Sequence, residues 1–537
     1  MSDEPPTTSR PSPPSLSDRP LASSDARRGA AWAKSPAAWR IAFWAILLLT
    51  LGVRLINLRS PLLEKHEFRQ TQTALTVWCY LQEGVSLLEM PLPIFGPPWQ
   101  VPFEFPVYQL TAAGVAKATG FELDLACRLT NLLYFYLSAA VLYVLCARVF
   151  RSRSIAATVT LIYACSPFAI VWSRTCMIEY ATVSFALGYL LCFYEWLGAP
   201  RRWWFVPLAI VCGSLGALSK ITTMPVTVAP MLYWIVRQWR VAQRARPVAA
   251  TGRTRAESWR RVGAVAAILA VLGVPVLIGG WWVRYSDAVK AASPWTVDFM
   301  SSHLHGWSFG TWAQRAELYN WVIIPARVGA FMLPGAVMLF ALVALWAPRT
   351  PRHSDAGFLY AMVISSLLLP AVFFNPYLNH DYYLCAISPC LAILSGWGLH
   401  YIFGYVLRAR TLAQMVLGAA VILSGLPSLT YLKVPFAIGY EHPTCRLGAL
   451  VAEITPPDGV VAVVAADYSW SPPILYYAKR KGMMIRGDDE NAVPRDFRFA
   501  TLVLAAPQPH LLALYPHRRA VPAPEGYEVY VADGRQP

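Results

Sequence analysis

The sequence predicts an α-helical protein that crosses a membrane many times and carries a small C-terminal α/β domain. Of the 537 residues, 56% are hydrophobic and only 14% are charged, whereas soluble domains carry about a quarter charged residues. Eleven apolar runs are interpreted as membrane spans, and arginines concentrate in every second loop between them. The last part of the chain changes to short apolar segments of the kind that form strands.

The chain begins with a polar tail and a first predicted span. Residues 1–36 are rich in Pro, Ser and Arg and have little to bury, so we expect a disordered cytoplasmic tail. The apolar run 37–58 has the roughly 20 residues that a transmembrane helix needs. Arg27, Arg28 and Lys34 precede it and favour an N-terminus on the cytoplasmic side. A long external loop, 59–106, follows.

Ten further runs complete the predicted membrane domain, 37–431. They cover residues 125–147, 155–172, 181–197, 204–218, 221–236, 262–283, 321–346, 357–374, 382–403 and 412–431. The loop 237–261 carries eight arginines, and Arg148, Arg201 and Arg408 lie in other loops on the same predicted side. Because basic residues are enriched in cytoplasmic loops, loops 59–106, 173–180, 284–320 and 375–382 are expected outside.

Residues 432–537 are predicted to form an α/β domain outside the cytoplasm. Segments 460–464 and 501–504 have the pattern of short buried strands, and 473–480 that of a helix between them. Strands alternating with helices are typical of such a domain. The basic residues behind the net charge of +16 cluster in loops between apolar runs, which is the pattern of a membrane protein. No module of basic and aromatic residues indicates nucleic-acid binding.

The first external loop contains a segment, 64–74, dense in groups that hold a proton, a cation or a phosphate. In a helix its polar face would carry His66, Arg69, Gln70 and Thr73, with Glu67 beside that face. The opposite face, with Leu75 and Val77, would lie on the bilayer surface. An interfacial helix with a merely solvated polar face is the alternative interpretation.

A buried cation and a second carboxylate add to this segment. Lys220 lies within apolar sequence, where a charge is costly unless it meets an anion such as a lipid phosphate. Snorkelling of Lys220 to the membrane interface is the alternative. Arg69 and Arg174 are candidates for further phosphate contacts, and Glu179 follows Arg174 in the second external loop.

The long first loop with His66-Glu67-Phe68-Arg69 resembles the GT-C membrane glycosyltransferases of family 39, which include protein O-mannosyltransferases and lipid A aminoarabinose transferases. That family has Asp-Glu-x-Arg at this point, with the Asp as catalytic base. Glu67 and Arg69 match the pattern, while His66 stands where the Asp is expected. The resemblance therefore implies Glu67 or His66 as the base, since either residue type can accept a proton.

Further motifs resemble the same family in the same order, across roughly residues 37–431. Glu104 lies in a segment before the second span, with Phe105 in place of the usual lysine, and Ser219-Lys220 resembles the motif that contacts the lipid phosphate. His380-Asp381-Tyr382-Tyr383 resembles the segment that opens a late span. The resemblance implies that Arg69, Arg174, Lys220, Glu104, Tyr382 and Tyr383 bind the substrate or its phosphate.

The implied function is transfer of a hexose or pentose from a polyprenyl phosphate, with inversion, at the outer face of a bacterial inner membrane. The acceptor would be a glycan, a lipid or a protein. Glu67 is the first candidate for the base, His66 the second, and Glu179 a supporting carboxylate. A divalent metal held by Glu104, His380 and either His303 or His305 is also implied by some bacterial relatives, with hydrogen-bonding histidines at the interface as the alternative.

Two other classes of function remain open from the sequence. Charges within membrane segments also suit a lipid or solute transporter, although the two halves show no inverted repeat. The replacement of Asp by His66 leaves room for a non-catalytic relative that binds lipid.

The predicted orientation is tested by a topology reporter. A reporter fused after Arg261 should register the cytoplasm, because the preceding loop carries eight arginines. An external signal at that position would contradict the orientation and with it the outward-facing site.

Overall fold

The computed structural model describes residues 36–244, 255–346, 356–408, 413–416, 418–419, 437–465, 471–487, 498–505 and 508–532. The predicted tail and most of the predicted span 412–431 lie outside these residues.

Helices make up most of the described chain. The first group comprises α1 (Pro36–Leu55), α2 (Glu67–Glu83), α3 (Val107–Thr119), α4 (Leu123–Val149), α5 (Arg153–Cys165), α6 (Pro167–Trp172), α7 (Glu179–Gly198), α8 (Phe205–Lys220), α9 (Val228–Arg244) and α10 (Arg255–Ala291). The second comprises α11 (His305–Phe309), α12 (Trp312–Ala316), α13 (Leu318–Arg327), α14 (Ala336–Trp346), α15 (Ala356–Val372), α16 (Phe374–Asn379) and α17 (Ser388–Tyr401). Tighter 3-10 turns cover Ile221–Thr227, Val297–Phe299 and Asp381–Ala386, and wider π turns cover Val328–Met332 and Ile402–Val406.

The protein is a polytopic α-helical membrane protein, and the count of eleven spans stays a prediction. In the described part of the chain, five helical stretches are long and apolar enough to cross a membrane, or six if the bent pair Leu318–Met332 and Val337–Trp346 counts as one. Other predicted spans coincide with shorter apolar helices, such as Arg153–Cys165 and Gly357–Val372. The predicted run 155–172 is interrupted at Ser166, where α5 ends and α6 begins.

The stretch Phe205–Arg244 folds back on itself and supplies two passes, as the two predicted runs 204–218 and 221–236 require. Lys220, at the end of α8, contacts Glu179 at the start of α7. Gln238, late in α9, donates to the carbonyl of Leu197 at the far end of α7. Helices α8 and α9 therefore run in opposite directions along α7, and the chain reverses in the 3-10 turn 221–227.

The two ends of α7 differ in charge and in partners. At the C-terminal end, Glu195 pairs with Arg148 at 3.0 Å and with Arg202 at 3.2 Å. Both arginines belong to loops predicted on the cytoplasmic side. At the N-terminal end, Glu179 lies among the residues of the other predicted side. The arginine-rich loops and the candidate site thus occupy opposite ends of the bundle.

Helix α2 is buried, which contradicts the prediction that its apolar face lies on the bilayer surface. Leu75 and Val77 are fully buried, and so are Gln70 and Thr71 on the polar side. The helix packs against α3 and against the C-terminal domain. A helix between two protein layers needs no membrane contact, and its weak amphipathic pattern reflects this two-sided burial.

The predicted C-terminal α/β domain is confirmed. It contains helices α18 (Pro443–Ile454), α19 (Pro473–Ala478) and α20 (Pro509–Ala513), and strands β1 (Val461–Ala465), β2 (Gly482–Arg486), β3 (Thr501–Leu504), β4 (Arg518–Val521) and β5 (Glu528–Ala532). The strand order is β2-β1-β3-β5-β4, with β1 parallel to β2 and β3, and β5 antiparallel to β3 and β4.

The loop 59–106, predicted to be external, extends this sheet at the edge formed by β2. The amide of Met484 donates to the carbonyl of Ile94 at 2.7 Å, and the amide of Gly482 donates to the carbonyl of Pro93 at 3.1 Å. An ion pair of 2.7 Å joins Lys481 to Glu83 at the end of α2. The domain is therefore docked on the segment that carries the candidate site.

Asp124, at the start of α4, is the polar centre of this docking. Its buried carboxylate accepts hydrogen bonds from the hydroxyls of Tyr440 at 2.7 Å, Tyr477 at 3.3 Å and Tyr476. Tyr477 in turn accepts from the amide of Leu62 at 2.7 Å. One carboxylate thus accepts the hydrogen bonds of three tyrosine hydroxyls of the C-terminal domain.

Replacing Asp124 with Ala should lower the free energy of unfolding by roughly 2–4 kcal/mol, because buried hydroxyls lose their acceptor. Thermal unfolding of the detergent-solubilised protein measures the change. Glu122→Ala, at an exposed carboxylate two residues away, is the matched control and should unfold as the parent does. Equal unfolding temperatures for both variants would contradict the role of Asp124.

Candidate active site

Four segments bring charged and aromatic side chains together at the end of the bundle that bears the C-terminal domain. They are the start of α2, the segment before α3, the adjoining ends of α7 and α8, and the turn between α16 and α17. We call the resulting set the charged cluster: Lys65, His66, Arg69, Glu104, Glu179, Lys220, His380, Asp381, Tyr382 and Tyr383. Most of the predicted site residues belong to it.

His66 lies at the N-terminal end of α2 and faces a carboxylate from a distant part of the chain. Its Nε2 atom is 3.2 Å from Oδ1 of Asp381, whose Oδ2 is 3.7 Å from Nζ of Lys65. The backbone of His66 is left-handed, with φ 54° and ψ 48°, and helix α2 begins at the next residue. This sharp entry into the helix aims the imidazole at Asp381.

Aromatic rings surround His66. The ring centroids of His380 and Tyr382 lie 4.9 and 5.0 Å from its imidazole, and His380 stacks on Tyr382 at 5.2 Å. Burial, together with the nearby His66 and Lys220, lowers the pKa of His380 to about 3. His380 is therefore neutral at physiological pH, and its buried Nδ1 atom has no hydrogen-bond partner within the described residues.

Arg69 and Glu104 form the second ion pair of the charged cluster through a short hydrogen bond. Burial by itself would raise the pKa of Glu104, but the Arg69 guanidinium outweighs it, and the pKa lies below its usual value. The backbone around Glu104 is fixed on both sides: Phe105 donates to the carbonyl of Leu218 at 3.0 Å, and the indole of Trp282 donates to the carbonyl of Phe103 at 3.1 Å.

Lys220 and Glu179 form the third pair and the most deeply buried one. Nζ of Lys220 is 2.8 Å from Oε1 of Glu179, and the two side chains are only 7% and 6% exposed. The ammonium also lies 3.9 Å from the ring centroid of Tyr383 and 5.0 Å from that of Tyr382. The anion expected for a buried lysine is thus present, and snorkelling does not describe this side chain.

Two of the predicted catalytic and substrate-binding residues lie outside the charged cluster. Arg174 is buried and donates to the carbonyls of Ile56 at 2.7 Å and Asn57 at 3.0 Å, so its guanidinium fixes the loop after α1. Glu67 is exposed at the first position of α2, and among the described residues no side chain pairs with its carboxylate.

A buried ion pair that the motifs did not reveal connects the two external loops. Arg128 of α4 donates twice to Glu64, and also to the carbonyls of Arg174 at 2.7 Å and Pro61 at 2.9 Å. Gln70 adds a second link, since it accepts from the amide of Cys176 at 2.9 Å. The sequence signal for this pair was the position of Arg128 within an apolar run. Its partner Glu64 lies 64 residues away, so the pairing was not visible in the sequence.

The predicted metal ligands do not form one group, although Glu104 and His380 both belong to the charged cluster. Glu104 pairs with Arg69, His380 lies among aromatic rings, and His303 is about half exposed near Asp298, at 3.6 Å. Across the residues that the structure describes, no group of three His, Cys, Asp or Glu side chains is arranged to hold a metal ion. We therefore derive no step through a metal, and the metal site stays a prediction.

Comparisons with known proteins identify the class of fold. Residues 100–254 match the model of the family described as dolichyl-phosphate-mannose-protein mannosyltransferase. The fold is similar to ArnT from Cupriavidus metallidurans bound to undecaprenyl phosphate, with a TM-score of 0.63 and 14% identity over 93% of this chain and 99% of that chain. No curated protein matches the chain by sequence.

Archaeal structures share the fold at lower similarity. The oligosaccharyltransferase of Archaeoglobus fulgidus in its apo form has a TM-score of 0.55 and 12% identity, over 86% of this chain and 69% of that chain. AglB from the same organism, in complex with an inhibitory peptide and a dolichol phosphate, has a TM-score of 0.53 and 13% identity, over 93% and 75%. The chain therefore has the GT-C fold, and the resemblance stated from the sequence is confirmed at the level of the fold.

The Glu64–Arg128 pair should be far more important for stability than a surface pair on the same helix. Arg128→Met leaves a buried carboxylate alone and should cost about 3–5 kcal/mol of unfolding free energy. Arg148→Met, at the other end of α4, removes a pair whose arginine is 60% exposed and should cost under about 1 kcal/mol. Thermal unfolding of both variants measures the difference, and comparable losses would contradict it.

Proposed function

We propose that the protein transfers a sugar from a polyprenyl phosphate to a hydroxyl acceptor at the end of the bundle that carries the charged cluster. The observation that carries this proposal is the convergence of two cations, the buried Lys220 and the partly buried Arg69, beside the His66–Asp381 pair. The GT-C fold and the bound lipid phosphates of ArnT and AglB support the same donor class.

The two cations suit the leaving group of such a reaction. When the bond between the anomeric carbon and the phosphate oxygen breaks, its electron pair stays on the phosphate, which gains negative charge. Fixed positive groups in a site shielded from water stabilise that charge most effectively. The Lys220 ammonium and the Arg69 guanidinium are the groups of the charged cluster that meet this need, and guanidinium is well shaped for phosphate oxygens.

His66 is the base that the geometry favours, ahead of Glu67. Asp381 faces Nε2 of the imidazole; with the hydrogen on Nε2, Nδ1 is left as the proton acceptor. The acceptor oxygen attacks the anomeric carbon, its proton passes to His66, and Asp381 stabilises the imidazolium that forms. Glu67 is exposed beside this pair and is the alternative base. One displacement of this kind inverts the anomeric carbon.

The opposite ends of the bundle support a site that faces the outer side of the membrane. Arg148 and Arg202 lie at the end of α7 that the positive-inside pattern assigns to the cytoplasm. The charged cluster then faces outward, which in a bacterium corresponds to the outer face of the inner membrane. The sugar is a hexose or a pentose, and the acceptor a glycan, a lipid or a protein.

The proposal is tested by transfer of labelled sugar in membranes that contain the protein. A panel of polyprenyl-phosphate-linked hexoses and pentoses serves as donor, and lipid, glycan and protein fractions are scored for label. His66→Ala should lower kcat by about 10²–10⁴-fold, and Asp381→Asn should lower it less, because it only positions the imidazole. Glu67→Gln should retain most of the activity.

Glu195→Gln is the matched control, since this carboxylate forms ion pairs on α7 far from the charged cluster. Loss of turnover in Glu67→Gln with activity kept in His66→Ala would assign the base to Glu67. Full turnover in both variants would contradict the proposed site. If the parent protein binds polyprenyl phosphate but transfers no sugar from any donor, the result would instead support a lipid-binding relative.

A further inference from the structure

Both cations proposed to bind the phosphate are already neutralised by carboxylates. Lys65, Arg69 and Lys220 face Asp381, Glu104 and Glu179, so the charged groups of the cluster balance when its histidines are neutral. Resting on the proposed function, we propose that the donor phosphate binds by displacing Glu179 from Lys220. Glu179 is then an exchangeable counter-ion rather than a fixed part of the phosphate site.

The burial of this pair makes simultaneous binding costly. A phosphate within hydrogen-bonding distance of Lys220 would lie close to Glu179, whose carboxylate is 2.8 Å from the same ammonium. Like charges repel strongly at such distances where water is scarce, and both side chains are almost completely buried. Movement of the Glu179 carboxylate away from the ammonium relieves this repulsion.

Lys220 has one charged oxygen partner among the described residues. Among the described residues, Glu179 is the hydrogen-bond acceptor of its ammonium, and the rings of Tyr383 and Tyr382 cover another side. A lysine ammonium is a point charge without the fixed fork of a guanidinium, so it exchanges one oxygen for another without a geometric penalty. Because the Arg69 guanidinium has several N–H groups, it can bind a phosphate oxygen while it keeps its hydrogen bond to Glu104.

Glu179 has a second source of stabilisation once it leaves Lys220. It is the first residue of α7, a helix of 20 residues whose N-terminal end favours a negative charge. Its Oε2 atom is buried and has no hydrogen-bond partner within the described chain. That oxygen is an acceptor available to a hydroxyl of the sugar or of the acceptor when the carboxylate turns.

The consequence is unusual for a residue of a binding site: removing the charge of Glu179 should strengthen phosphate binding. In Glu179→Gln the amide no longer competes electrostatically for Lys220. The dissociation constant of a short-chain polyprenyl monophosphate should fall by about tenfold. The affinity for the matching polyprenyl alcohol, which has no phosphate, should not change.

Isothermal titration calorimetry on the full-length protein in detergent gives both affinities. Glu195→Gln, on the same helix and paired with arginines at the other end, is the control and should bind as the parent does. Lys220→Met should bind the phosphate weakly. The double variant Glu179→Gln/Lys220→Met removes both buried charges, should keep its fold, and should bind no better than Lys220→Met.

The outcomes separate this inference from the proposed function. A parent protein that binds neither the phosphate nor the alcohol would overturn the proposed function. A parent that binds the phosphate, together with a folded Glu179→Gln variant that binds it equally or more weakly, would overturn the exchange alone. A gain in Glu179→Gln that persists in the double variant would also overturn it, because the gain would not pass through Lys220.

Discussion

The cost of burying an isolated charge governs this structure more than any other constraint. Lys220 with Glu179, and Arg128 with Glu64, lie inside an apolar helical bundle, where each charge would be strongly destabilising without its partner. Each pair joins segments that are distant in sequence. The requirement for pairing therefore fixes how the loops and helix ends meet, and it does so at the end of the bundle where the candidate chemistry lies.

The two pairs have different consequences because their surroundings differ. Besides its two hydrogen bonds to Glu64, Arg128 donates to the backbone carbonyls of Pro61 and Arg174, so this guanidinium also fixes backbone. Lys220 has one carboxylate and two aromatic rings, and none of these contacts is a backbone group. The first arrangement is rigid, whereas the second can change partners, which is what a site that receives an anion requires.

The sequence predicted the site segments well and individual roles less well. His66, Arg69, Glu104, Glu179, Lys220 and the segment 380–383 were all expected near a substrate, and the fold brings them together. Arg174 has the residue type and the loop position expected of a phosphate ligand. Its guanidinium nevertheless donates to the carbonyls of Ile56 and Asn57. A motif records which residue types occur, but not which acceptor lies within reach of a side chain.

Length, composition and periodicity by themselves determined a polytopic helical protein with a terminal α/β domain, because apolar runs and strand patterns are local properties. Only the tertiary structure decided that α2 is covered on both faces, since the apolar pattern of Leu75 and Val77 suits a bilayer and a protein layer equally. It also decided that His66 faces Asp381, 315 residues away. Pairings over such distances depend on the packing of the whole bundle, and no local pattern in the chain encodes them.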